Sequence, residues 1–228
     1  MTVEPNTSRA RGGIPRPVEV IVAALCLMVA VPLMCVIAVA IVATSPGPVI
    51  FRQERLGRYG KVFILYKFRT MRIELPGPQV TARDDCRVTT VGSLLRMAKL
   101  DELLELWNVI KGDMSLVGPR PEVPRYVDLA NPDWRQVLRA RPGLTDPVTL
   151  KLRNEEALLC TVQGNREEFY IDSLQPYKIK GYMEYIECRD WLTDIGVLWQ
   201  TLLAVLSPGR APAPTLDEVA AARCPPPR

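Results

Sequence analysis

The sequence predicts a mostly α-helical protein with a small β-hairpin, attached to a membrane by one N-terminal helix. Three observations predict it. From Val18 to Ala43 the chain is apolar except for Glu19, and about 20 such residues reach across a bilayer. Two short β-like runs, Val49 to Gln53 and Val62 to Phe68, flank a loop holding Gly57 and Gly60. Further on, apolar residues recur at the three- and four-residue spacing of a helix face.

Composition narrows the chemistry. The 228 residues suit one compact domain with an appended element. A net charge of +4 suits contact with lipid headgroups or phosphates but is too weak to imply nucleic-acid binding, and none is expected. Histidine is absent, which excludes His-based triads, imidazole bases and His-containing zinc sites. Carboxylates, amines, guanidinium groups, hydroxyls or thiols must do the work. The six cysteines form no CxxC pair, and Cys26 and Cys35 lie in the apolar run. They read as small fillers in a reducing compartment.

The chain divides into a flexible leader (1–17), a membrane helix (18–44), a domain facing the cytoplasm (45–206) and a Pro-rich disordered tail (207–228). Ala38-Val39-Ala40 looks like a signal-peptidase site, but the apolar run exceeds the ~7–15 residues of a signal peptide's apolar core. Pro32, at its centre, removes a helix hydrogen bond and favours a kink. Arg9, Arg11 and Arg16 precede the segment, and Arg52, Arg55, Arg58 and Lys61 follow it. A spanning helix concentrates its basic residues on one side. Basic flanks at both ends fit a re-entrant helix that dips into one leaflet and returns. A kinked span is also tolerated, so charge and proline leave both arrangements open.

After the turn Ser45-Pro46-Gly47-Pro48 comes the hairpin, then a polar loop from Leu75 to Arg87. Ser93 to Ile110 reads as one helix, with Leu100, Leu103, Leu104, Trp107 and Ile110 on its apolar side and Asp101, Glu105 and Asn108 on another face. Gly112 ends it, and Gly118-Pro119-Arg120-Pro121 forms a rigid turn. An amphipathic stretch from Val123 to Ala140 is interrupted at Asn131-Pro132. Leu152 to Leu159 and Tyr177 to Leu206 read as helices, the aromatics of the latter serving either core packing or a membrane-interface belt.

Three clusters could carry chemistry: Lys67-Phe68-Arg69-Thr70-Met71, Asp101-Glu102, and Gly118-Pro119-Arg120-Pro121-Glu122. Adjacent carboxylates on a helix are usually a solvated face. An arginine between two prolines is less routine, because its fixed backbone lowers the entropy lost when the guanidinium grips a phosphate. Cations from separate segments with carboxylates and no histidine suit phosphoryl transfer, where a carboxylate can be the nucleophile.

Ordered motifs then identify a resemblance. The run from Ser45-Pro46-Gly47-Pro48 to Gln53-Glu54-Arg55-Leu56-Gly57 resembles the opening signature of the bacterial sugar transferases, the monotopic phosphoglycosyl transferases. So do Tyr66-Lys67-Phe68-Arg69-Thr70-Met71, Leu100-Asp101-Glu102-Leu103-Leu104, the block from Leu106 to Glu122, and Arg141-Pro142-Gly143-Leu144-Thr145. The match covers roughly 18–146.

The resemblance implies a re-entrant helix bent at Pro32, a cytoplasmic catalytic domain on the bacterial inner membrane, and two covalent steps. Asp101 would attack a nucleotide-sugar, and Glu102 would help position or deprotonate a polyprenyl phosphate acceptor. A magnesium ion near Asp101 would neutralise the diphosphate. Arg120 would bind phosphate, with Lys67, Arg69 and Arg96 as further candidates. The implied setting is the first membrane step of a surface glycan. A homodimer is left open, and a catalytically inactive scaffold that binds lipid phosphates is the competing reading.

Arg96 carries a geometric condition. On an unbroken helix it would stand roughly 140° round the axis from Asp101, so it can help only if the helix starts near Asp101 or its side chain folds back. The segment from Asp146 to Glu156 departs from the Gly-rich pattern of relatives, which leaves the sugar donor unassigned.

Overall fold

The computed structural model describes residues 12–73, 85–206 and 214–220. Helix α1 runs from Arg16 to Thr44, with Pro17 in its first turn and Pro32 inside it. Both of its ends rest on the domain. At the start, Arg16 donates to the carbonyl of Met114 at 3.0 Å and to that of Val109. Glu19 accepts from the Leu116 amide at 3.1 Å and pairs with Arg16 at 3.2 Å. The one charge in the apolar run is therefore buried in protein. Ala23 then packs with Leu106, Val109 and Met114. At the far end, Ile37 and Ile41 pack on Phe68 and Leu95. Between Ala23 and Ile37, about 20 Å of helix, no residue is buried, and Val29 is 81 % exposed. An apolar surface of this kind marks contact with a membrane or a partner.

Strands β1 (Ile50–Leu56) and β2 (Val62–Phe68) form the expected antiparallel hairpin, with Ile50 opposite Phe68 and Leu56 opposite Val62. The free edge of β2 is met by Asn108, which is wholly buried. Its side-chain amide donates to the Ile64 carbonyl at 2.7 Å, and its side-chain carbonyl accepts from the Tyr66 amide at 3.2 Å.

The single helix expected from Ser93 to Ile110 is not formed. Helix α2 spans Thr90–Met97, Lys99 takes a left-handed φ of 57°, Leu100–Glu102 make a 3₁₀ turn, and α3 spans Glu105–Lys111. The regularly spaced leucines serve two clusters in different directions. Leu95, Leu100, Leu103 and Leu104 pack around Ile37, Ile41 and Phe68, whereas Leu106 and Val109 pack with Leu65, Met114 and Leu116. A straight helix would present one stripe and could not fill both.

Strand β3 (Ser115–Val117) pairs in parallel with β4 (Gly143–Thr145). The remaining half is helical: α4 (Pro132–Val137), α5 (Pro147–Lys151), α6 (Glu155–Thr161), α7 (Arg166–Phe169), a π-turn at Tyr170–Leu174 and α8 (Gln175–Cys188). Trp134, Leu159, Leu174 and Tyr182 form its core.

The helix expected from Tyr177 to Leu206 breaks at Arg189-Asp190, and α9 covers Trp191–Leu206. Buried Asp194 pins this corner, accepting from Tyr185 at 2.5 Å, Arg189 at 3.1 Å and the Ile14 amide at 3.1 Å. The inner face of α9 places Val197 against the cluster around Ala23. Its outer face exposes Trp191, Ile195, Trp199, Leu202 and Leu203.

Part of the tail expected to be disordered forms α10 (Leu216–Ala220). Thr215 and Glu218 explain it: each side chain accepts from the other's amide, at 2.9 and 3.3 Å, a reciprocal cap that starts a helix. Val219 is then buried in the core. The rest of that tail, the leader up to Arg11, and residues 74–84, which take in positions 75–84 of the expected polar loop, lie outside the described residues.

Candidate active site

Three elements deliver the charged groups to one place. Lys67 sits near the end of β2, Asp101 and Glu102 lie in the 3₁₀ turn, and Arg120 lies on the turn after β3. The Asn108 hydrogen bonds to Ile64 and Tyr66 fix α3, and the turn before it, beside Lys67.

The Arg120 turn is fixed by close backbone contact. The Gly118 amide donates to Thr145 O at 3.0 Å, and the Gly143 amide donates to Pro119 O at 3.0 Å. A Cβ on Gly143 would stand 2.1 Å from the Gly118 nitrogen, so the approach requires glycine. Behind the turn, Arg55 donates to Pro121 O at 2.9 Å, and the Tyr170 hydroxyl donates to Glu122 at 2.8 Å. Lys178 is 3.0 Å from Glu155 and 3.6 Å from Glu122. These buried charges compensate one another and hold the turn from the inside.

Glu102 is locked by two cations: Lys67 at 2.9 Å, and Arg120 through its guanidinium. Burial alone would raise its carboxyl, but Arg120, Lys67 and Lys99 outweigh that and hold it well below the ordinary range. Glu102 in turn raises the already high pKa of Arg120. Asp101 is different. Only 8 % exposed, it has one carboxylate oxygen, Oδ1, with no hydrogen-bond partner. Burial and then the charge of Glu102 push its carboxyl up, against Lys67, Lys99 and Arg96. Two neighbouring carboxylates with environments that push their pKa values apart suit two different roles.

Arg96 meets the geometric condition set by the sequence, because the chain breaks at Lys99 between it and Asp101. Its Nε donates to Thr70 Oγ1 at 2.9 Å and its Nη1 to Glu156 at 3.0 Å, and its charge reaches Asp101. Arg69 does not join the site. It is 4 % exposed and donates to the carbonyls of Ser45 and Pro46, closing the end of α1, whereas the sequence offered it as a candidate for phosphate. Its position at the close of β2 points it toward the end of α1. Pro32 stands in the exposed middle of α1, apart from the charged groups.

Two polar residues were not expected here. Glu105, on the first turn of α3, is 1 % exposed and 3.1 Å from Lys67, with no other partner on either oxygen. Asn108 is the strap described above. Their shared face with Asp101 was the signal in the sequence: polar residues at regular spacing in an otherwise apolar block.

Among the described residues, no group of three or more acidic or cysteine side chains could hold a metal alone. Magnesium is commonly held by one or two carboxylates together with substrate phosphates. The orphaned Oδ1 of Asp101 fits that pattern.

Comparisons with known proteins bear on the family of the chain. The chain is 37 % identical over 201 residues to a UDP-glucose:undecaprenyl-phosphate glucose-1-phosphate transferase of Caulobacter vibrioides, covering 86 % of this chain and 71 % of that protein. It is 35 % identical over 173 residues to the Escherichia coli protein of the same description, covering 72 % of this chain and 36 % of that one. A putative undecaprenyl-phosphate N-acetylgalactosaminyl 1-phosphate transferase of Bacillus subtilis is 43 % identical over 117 residues, covering 50 % of this chain and 65 % of that protein. The chain thus spans about a third to under three quarters of these relatives' lengths. The profile described as bacterial sugar transferase matches residues 11–208, and this chain belongs to that family.

Proposed function

We propose that the protein transfers a sugar-1-phosphate from a UDP-sugar to undecaprenyl phosphate through a covalent intermediate on Asp101. The observation that carries this reading is the unequal environment of the carboxylate pair. Glu102 is held by Lys67 and Arg120, while Asp101 keeps a buried oxygen that nothing else uses.

In the first step a carboxylate oxygen of Asp101 attacks the β-phosphorus of the donor. The bond from that phosphorus to the bridging oxygen breaks, and a nucleoside monophosphate leaves. In the second step a phosphate oxygen of the acceptor attacks the same phosphorus, and the Asp101 carboxylate is released. Lys67 and Arg120 are the nearby cations for the charge on the equatorial oxygens, a role that depends on fixed geometry. Arg96 adds charge from the side of Thr70 and Glu156. Glu102 orients the two cations before the donor arrives and then serves the acceptor phosphate. Asp101, together with substrate phosphates, would hold a magnesium ion, which would supply further charge neutralisation.

The membrane arrangement belongs to the same proposal. α1 enters one leaflet and returns, with both ends on the cytoplasmic face of the inner membrane. Support comes from the contacts of both α1 ends with the domain and from the exposed apolar stretch between them. The outward apolar face of α9 lies in the interface, where Trp191 and Trp199 suit headgroup depth. That depth allows one site to meet a water-soluble donor and a lipid acceptor.

Asp101→Asn tests the reading directly. The variant is expected to release no nucleoside monophosphate from any of a panel of UDP-sugars. Full release by the Asn variant would remove the aspartyl intermediate.

A further inference from the structure

Lys67 has two anionic neighbours, and only one belongs to the pair that carries the proposed chemistry. Its Nζ lies 2.9 Å from Glu102 and 3.1 Å from Glu105. Glu102 sits toward the open side, 13 % exposed, and shares itself with Arg120. Glu105 is 1 % exposed, and apart from Lys67 neither of its oxygens has a hydrogen-bond partner. A buried carboxylate whose one partner is a lysine already paired elsewhere is costly to keep, and an uncharged residue of similar shape is often as stable or more so. Packing alone therefore gives no reason for this carboxylate.

The ligand supplies one. A donor diphosphate arriving at the site competes with Glu102 for Lys67 and Arg120. A lysine on its flexible four-carbon stem then follows the new anion unless a second contact holds it. We propose that Glu105 is a positioning residue for the phosphate site, keeping Lys67 in place on the buried side while Glu102 gives it up to substrate. Glu105 touches no reacting atom and acts through Lys67. The inference rests on the reading of Lys67 as a phosphate-binding cation, so its test must separate the two.

The full-length enzyme and the variants Lys67→Met, Glu105→Gln, Glu105→Met and the double Lys67→Met/Glu105→Gln are assayed at saturating undecaprenyl phosphate. UDP-glucose and UDP-N-acetylgalactosamine are the donors, and the better one is used throughout. Lys67→Met is expected to raise the donor KM. Glu105→Gln is expected to raise it about tenfold with kcat within about threefold, the size of a broken close coupling. Its Tm should be unchanged or higher. The double variant is expected to be no worse than Lys67→Met alone, because the contact is already gone. An unchanged KM in Lys67→Met would refute the parent reading of Lys67. A raised KM in Lys67→Met with a normal KM in Glu105→Gln, or losses that multiply in the double variant, would overturn the role of Glu105. Should Glu105→Gln fail to fold, Glu105→Met reports the same contact by the same KM criterion.

Discussion

Replacing Gly143 by alanine adds one methyl group and should disable the site from a distance. An added Cβ would stand 2.1 Å from the Gly118 nitrogen, 2.5 Å from its oxygen and 2.6 Å from its Cα, all backbone atoms that cannot rotate away. Real Cβ contacts start near 3.0 Å, so β4 and the turn at Gly118 must separate by about 1 Å. That displacement breaks or weakens the hydrogen bonds from Gly143 to Pro119 and from Gly118 to Thr145, each 3.0 Å long. Overpacking costs about 1–3 kcal/mol, and two weakened hydrogen bonds cost about 0.5–1.5 kcal/mol each. Arg120, two residues beyond Gly118, moves with the turn. A shift of about 1 Å in a charge-stabilising group costs on the order of 100-fold in rate. Thermal unfolding in detergent reads the first effect, and release of nucleoside monophosphate from the preferred UDP-sugar reads the second. Gly196→Ala is the control, since a Cβ there meets nothing within 4 Å. Activity of Gly143→Ala within threefold of wild type, with an unchanged Tm, would refute the claim that this contact sets Arg120.

Three further outcomes follow from the charged groups. Lys178→Met leaves buried Glu122 and half-buried Glu155 without their cation and should destabilise the protein by about 3 kcal/mol in chemical denaturation, with Tyr170 unable to compensate both. Arg69→Met leaves the carbonyls of Ser45 and Pro46 without their donor at the end of α1. It should lower stability by about 1–3 kcal/mol and leave the donor KM of the folded fraction unchanged, whereas a phosphate ligand would raise it. Glu102 supplies a pH signature. Its folded pKa is depressed, so the stability it contributes is present above its ordinary value of 4.5 and is lost as pH falls through the lower folded value. Tm measured against pH should therefore decline less steeply below 4.5 in Glu102→Gln than in wild type. Identical acid limbs would contradict the ion pairs with Lys67 and Arg120.

The parts of the fold legible in the sequence were those with a strong local signal. Gly57 and Gly60 between two β-favouring runs gave the hairpin, and an apolar run longer than a strand or the apolar core of a signal peptide gave α1. The site pair Asp101-Glu102 and the Arg120 turn were legible as residue types. Their roles were not, because the break at Lys99 arises from leucines serving two clusters built by distant segments. Periodicity sees one helix there. The β3–β4 pairing was also hidden, since strands of three residues leave no pattern and the two glycines that permit it lie 25 positions apart. Arg69 and Glu105 carry the same lesson in opposite directions. A basic residue within a motif, one of several candidates for phosphate, closes the end of a helix, and an acidic residue on a helix face was passed over although it contacts Lys67. In both cases a partner far away in sequence decides the role.

In the proposed reaction Asp101 takes up a sugar phosphate from the donor as a covalent adduct. The direct measurement is intact and peptide mass analysis of the full-length enzyme after incubation with UDP-sugars in the absence of undecaprenyl phosphate. The expected result is release of nucleoside monophosphate without acceptor and the added mass of one sugar phosphate on the peptide that contains Asp101. The adduct should disappear when undecaprenyl phosphate is added and be absent from Asp101→Asn. Turnover that requires both substrates together, with no adduct under conditions where product forms, would contradict it.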